Sequence, residues 1–215
     1  MAVSGKPILL VGCGPGAVEY LTDAARHAVA GAEVLIGAPR LLEMFPADDT
    51  TRIAVRGDTE ATLAAIAEQR AAGRSIAVLT SGDPGLCSLA TPILKRFGRA
   101  ECTVIPGVSS VQVAFARLGL DWADARVLSA HGRAPTVAAE TLSPFDKIAV
   151  LAGTPQATRW AAEAARALGD SHAAWLCENL TLADERIRRV TAEDLRAVVA
   201  ASLAIVLLVR KSLLP

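Results

Sequence analysis

The chain has 215 residues, 52% of them apolar, 20% charged and only 4% aromatic, enough to bury a substantial core as one or two compact domains and too apolar for disorder. Lys plus Arg number 22 and Asp plus Glu number 22, with no basic run, so the electrostatic footprint of a nucleic-acid binder is missing and no such partner is expected. A core so poor in aromatics must be built from Ala, Val, Leu and Ile, the mixture that packs helices closely onto sheets, and an α/β class follows.

Met1 to Pro7 lacks the basic start and apolar stretch of a signal peptide, which predicts a cytoplasmic protein. Short β-branched runs then alternate with alanine-rich helical patterns. Strands are predicted over 8–11, 34–36, 52–55, 76–79 and 103–105, with helices over 22–30, 59–72, 89–97 and 110–118. Strands so continuously apolar suit a sheet covered on both faces, so the first 118 residues should form a mainly parallel sheet with crossover helices. Residues 119–124, Gly-Leu-Asp-Trp-Ala-Asp, break this rhythm and mark a junction between an N-terminal α/β lobe, 1–118, and a C-terminal α/β lobe, 119–215.

The second lobe should hold strands over 125–129, 148–151, 173–177, 186–190 and 203–209, with helices over 155–168 and 191–199. Thr191 and Asp194 fit a capping box at the start of that last helix. Strand follows strand directly between Trp175 and Val190, so this sheet should be mixed, with a cleft between the two unlike lobes. The apolar run 203–209 is far too short to span a bilayer, and no membrane partner is expected.

Three strand ends carry loops of small residues. The first strand runs into Gly12-Cys13-Gly14-Pro15-Gly16, where glycines admit close backbone approach. A dinucleotide fingerprint tolerates Ala17 at its last position, but Pro15 removes a donor from the turn that should cradle pyrophosphate. The fourth strand ends in Thr80-Ser81-Gly82-Asp83-Pro84-Gly85, where Asp83 is either a helix cap or an acceptor for a ligand ammonium or ribose hydroxyl. The fifth ends in Pro106-Gly107-Val108-Ser109-Ser110, with Ser109 or Ser110 capping the next helix. All three should converge on one sheet edge.

Cys13, Cys87, Cys102 and Cys177 show no paired spacing and no companion His cluster, so they read as buried free thiols, with neither disulfide framework nor metal site. His27 and His172 read as surface histidines; Trp122, Trp160 and Trp175 read as packing residues at the junction and in the second lobe.

In order and spacing, GCGPG, SGDPG and PGVSS resemble the tetrapyrrole (corrin/porphyrin) methylases, S-adenosylmethionine enzymes with two α/β lobes, and the match runs along the whole chain. Within that class GAPRLLEMF at 37–45, LSAHGR at 128–133 and ENLTLADERI at 178–187 resemble the cobalt-precorrin-7 (C-5) methyltransferases, also called the precorrin-6Y methylase module. The resemblance implies methyl transfer from S-adenosyl-L-methionine to carbon 5 of a precorrin, with or without cobalt, in cobalamin biosynthesis. It implies donor contacts at Pro15, Ser81, Gly82, Asp83, Leu86, Ser109, Ser110, Ala152, Gly153 and Leu180. Gly14, Arg40, His131 and Arg133 become the candidates for the tetrapyrrole, whose acetate and propionate groups call for cationic donors. Glu19 and Tyr20 are further possible contacts.

Many family members carry Asp directly after GPG where this chain has Ala17, so no catalytic base is assigned. A homodimer is expected, and so is a partnership or fusion with a second methyltransferase that also decarboxylates the substrate. The sequence leaves open a methylase acting on another ring carbon, a ribosomal RNA methyltransferase of the same fold, and a non-catalytic nucleotide-binding module.

Overall fold

A computed structural model describes residues 5–46, 49–130 and 135–214. The chain divides into two compact units, 1–109 and 110–215.

The first unit is built on strands β1 (Ile8–Gly12), β2 (Val34–Gly37), β3 (Thr51–Ala54), β4 (Ile76–Thr80) and β5 (Cys102–Ile105). They form one all-parallel sheet in the order β3-β2-β4-β1-β5. Successive side chains of the central strands point to opposite faces, and both faces are covered. Val11, Leu35, Ala77 and Leu79 pack with Leu21, Ala25 and Val29 on and beside helix α1 (Asp23–Ala30), and with Leu41 and Leu42 of α2 (Pro39–Leu42). On the other face Leu10, Ile36 and Val78 pack against Ile66 of α3 (Thr59–Ala71) and Ile93 of α4 (Ala90–Phe97). Local chemistry fixes the helix starts: the side chains of Thr22 and Asp58 accept the N–H groups of Ala25 and Ala61.

The second unit begins with α5 (Ser110–Arg117), which packs against β10 of its own unit. Sequence periodicity shows that a helix forms there but not which sheet will receive it, so the predicted junction at 118/119 leaves this helix on the other side. Strands β6 (Arg126–Ser129), β7 (Lys147–Leu151), β8 (His172–Glu178), β9 (Arg186–Val190) and β10 (Ala204–Arg210) form a sheet in the order β6-β7-β10-β8-β9. The β6/β7 pair is parallel and the other three are antiparallel, the mixed sheet that the close succession of strands predicts. Helix α6 (Pro155–Leu168) lays Ala157, Trp160, Ala161 and Ala164 on Ile148, Val150, Val206 and Leu208. Its start is set by Thr154, whose hydroxyl accepts the Ala157 N–H, with Pro155 at the first helical position. Helix α7 (Ala192–Ala197) opens with both bonds of the Thr191–Asp194 capping box, at 3.1 and 2.8 Å.

Four expectations change. His172 is buried, its ring nitrogens bonded to the Ser171 hydroxyl at 2.7 Å and the Phe145 carbonyl at 2.9 Å, and desolvation holds its pKa below the usual value. Cys87 is exposed and Cys102 half-buried, so only Cys13 and Cys177 are buried thiols. Trp122 is 50% exposed and does not seal a core, whereas Trp160 is buried as predicted. Among the described residues no helix is long and apolar enough to cross a membrane.

Candidate functional site

β4, β1 and β5 are adjacent and parallel, so their carboxyl ends deliver the three glycine loops to one place. The backbone there is knotted. The Cys13 N–H donates to the Thr80 carbonyl at 2.8 Å, and Gly14 and Gly82 exchange two hydrogen bonds of 3.2 and 2.7 Å. Gly14 and Gly82 adopt φ of +75° and +62°, a region that costs other residues steric strain. A Cβ on Gly12 would lie 2.5 Å from the Gly107 nitrogen and 2.9 Å from the Gly82 carbonyl. Three chains can therefore pass this point only because none carries a side chain.

Asp83 fastens the knot. One carboxylate oxygen accepts the Gly85 N–H at 2.7 Å and the other accepts the Gly107 N–H at 3.0 Å, tying the SGDPG loop to the PGVSS loop. This is a third role beside the two that the sequence suggests, and it turns the carboxylate inward. The rim left at the tip is small and largely backbone, with Ser81 exposed and Leu86 half-buried. Gly14 and Pro15 are buried behind it, and Ser109 is buried just before α5, whose first residue is Ser110. Tyr20 backs the first loop, its carbonyl lying 3.0 Å from where a Gly14 Cβ would be, while Glu19 is exposed.

Arg40 reaches the same loop from α2. Its guanidinium donates to the Ser81 hydroxyl, and no carboxylate pairs with it among the described residues. Burial pulls its pKa down, opposed by the Cys13 thiol. That thiol, buried at the end of β1, is pushed up to about 12, mainly by desolvation, so it is neutral at physiological pH. A partly desolvated cation bonded only to a neutral hydroxyl is ready to receive an anion, since a charge-assisted pair would offset its lost hydration.

In the second unit Ala152 is buried just past β7, its N–H donating to the Ala204 carbonyl at 2.8 Å, and half-buried Gly153 follows. Leu180 is buried in the loop after β8. His131 and Arg133 lie outside the described residues. Among the described residues no three His, Cys, Asp or Glu side chains are grouped to hold a metal ion. Sequence reasoning missed the Asp83 staple and the Arg40–Ser81 bond; three glycines at the ends of three strands were the one signal that such a knot forms.

The sequence profile of the Tetrapyrrole (Corrin/Porphyrin) Methylases matches residues 7–196. The chain is 35% identical over 181 residues, 84% of its length and 88% of the relative's, to a cobalt-precorrin-7 C(5)-methyltransferase of Salmonella typhimurium. Its structure resembles that of the cobalamin biosynthesis precorrin-6Y methylase of Archaeoglobus fulgidus, with a TM-score of 0.74, 27% identity and coverage of 96% of this chain and 99% of that one. It also shares its fold with a uroporphyrin-III C-methyl transferase of Thermus thermophilus solved with S-adenosylhomocysteine, at a TM-score of 0.75, 23% identity and coverage of 94% and 97%. The chain belongs to the tetrapyrrole (corrin/porphyrin) methylases.

Proposed function

We propose that this chain transfers a methyl group from S-adenosyl-L-methionine to carbon 5 of a precorrin or cobalt-precorrin in cobalamin biosynthesis. The observation that carries this reading is the glycine knot at the ends of β4, β1 and β5, in a chain so similar to a relative named for that reaction. The donor supplies an electrophilic methyl on a sulfonium. Its fit to the knot rests on the rim: the Asp83 carboxylate is turned to Gly85 and Gly107 and the Gly82 N–H and carbonyl are exchanged with Gly14, so the loop meets the donor at exposed Ser81, with no bulky side chain in the way.

Pro15, Ser81, Gly82, Asp83, Leu86, Ser109, Ser110, Ala152, Gly153 and Leu180 are the donor contacts, as the family resemblance implies. Gly14 and Arg40 serve the tetrapyrrole; His131 and Arg133 join them on sequence grounds alone. An electron-rich ring carbon attacks the methyl in line as the methyl–sulfur bond breaks and S-adenosylhomocysteine leaves with the electron pair, so the chain needs no nucleophile of its own. What it contributes is placement, and well-oriented reactants gain about 7–11 kcal/mol over free encounter. Arg40, pairing with a peripheral carboxylate while bonded to Ser81, fixes the ring relative to the donor loop. The protein works in the cytoplasm as a homodimer, beside or fused to the module that methylates and decarboxylates further round the ring.

Calorimetry with S-adenosylhomocysteine tests the donor site. Gly82→Val places a β-branched residue at φ +62° in the knot and should abolish binding. Wild-type affinity in that variant would move the donor elsewhere.

A further inference from the structure

The loop after β8 holds a backbone conformation that its sequence disfavours. Asn179 has φ of +51°, which Asn tolerates, but Thr181 has φ of +71°, where a β-branched residue is an outlier. Leu180, between them, is only 3% exposed. A conformation of this kind persists only when its surroundings over-determine it, and here the surroundings are specific. One Glu185 carboxylate oxygen accepts the Thr181 N–H at 2.5 Å. The same carboxylate takes Nε and Nη2 of Arg117, from α5, at 2.7 and 3.2 Å, a two-pronged pair. Asn179 donates its side-chain amide to Asp184 at 2.6 Å, and the N–H groups of Leu182 and Glu185 close two tight turns at 3.0 Å each.

We infer that Glu185 and Arg117 are positioning residues for the methyl donor, clamping the Asn179–Thr181 turn in its left-handed shape so that Leu180 is presented to the ligand. This rests on the reading above that Leu180 is a donor contact. It gives the ENLTLADERI segment a division of labour: Leu180 touches, Thr181 bends, and Glu185 holds the bend from four residues away. The Arg117 guanidinium, more than any other group, keeps the Glu185 carboxyl below the usual range, so the clamp is charged at neutral pH.

The test is calorimetric binding of S-adenosylhomocysteine by the full chain, read beside each variant's melting temperature and beside kcat and KM for the donor. Glu185→Ala should weaken S-adenosylhomocysteine about tenfold, roughly the effect of losing one charge-assisted hydrogen bond, and raise the donor KM while kcat stays near wild type. Arg117→Lys, which keeps the charge but not the fork, should give a smaller loss and serves if Glu185→Ala does not fold. Adding Thr181→Gly to Glu185→Ala should recover most of the affinity, because glycine adopts φ +71° without the clamp. A part that is only structural would lower the melting temperature and leave the folded protein's affinity unchanged. That result, or a Thr181→Gly that restores melting temperature but not affinity, overturns the inference. Gly82→Val separates the two readings: if it abolishes binding while Glu185→Ala does not weaken it, only this inference fails, and if it has no effect, the donor site itself is misplaced.

Discussion

Gly107→Ala probes the knot with a single methyl group. Its Cβ would sit 2.7 Å from the Gly12 carbonyl carbon, 2.8 Å from the Gly12 oxygen and closer still to the Gly82 carbonyl. All three are backbone atoms of neighbouring strand ends, so none can rotate away, and relief requires the loops to separate. Overpacking of this kind costs about 1–3 kcal/mol. Separation also stretches the Gly107 N–H bond to Asp83, so the upper half of that range applies. At about 2–4 °C per kcal/mol for a chain of this size, Tm should fall by about 4–12 °C. Gly31→Ala is the matched control, since its nearest neighbours would be 3.7 and 3.9 Å away and its φ is −89°, where alanine is at ease. It should be neutral or stabilising by up to about 1 kcal/mol. Scanning calorimetry measures both, and titration with S-adenosylhomocysteine should show lost affinity in Gly107→Ala alone. A Gly107→Ala protein that melts and binds like Gly31→Ala would refute the claim that the three loops touch at backbone distance.

Arg40→Ala removes the Ser81 partner and the proposed carboxylate partner together. It should weaken S-adenosylhomocysteine only a few-fold but a precorrin about ten- to a hundredfold, as expected for one neutral and one charge-assisted hydrogen bond; equal losses for both would contradict the assignment. Arg133→Ala, argued from sequence alone, should weaken the precorrin similarly without touching the donor. Cys13 and Cys177 are buried and held up to about 12, against 9.0 for an ordinary thiol, whereas Cys87 is exposed. Alkylation of the native protein at pH 8 should therefore label Cys87 and spare the other two. Unfolded, these thiols ionise near 9 and folded only near 12, so stability is full below pH 9 and falls as pH rises from there towards 12. Replacing both by Ala should flatten that decline, and an unchanged slope would show that other groups cause it.

The strands were legible because their signal is local: runs such as Ile76–Thr80 and Ala204–Arg210 are apolar at almost every position, which only a strand covered on both faces explains. Helix α2 was not, since four residues beginning at Pro39 are too few to show a period. Family motifs marked the three loops as a candidate site, but not its wiring. Asp83 finds Gly107 because β4 and β5 flank β1, and Glu185 finds Arg117 across 68 residues because α5 belongs to the second unit. Pairings like these depend on strand order, which no residue pattern along the chain encodes. His172 misled for the same reason: its partner, the Phe145 carbonyl, is 27 positions away.

The central claim is the position of the transferred methyl. The chain, incubated with S-adenosylmethionine carrying a ¹³C methyl and with a panel of precorrins and cobalt-precorrins, gives products in which NMR locates the label. The account predicts ¹³C at carbon 5 of one acceptor and its absence from products of a Gly82→Val chain. Label at another ring carbon, or none with any precorrin despite tight donor binding, would contradict it.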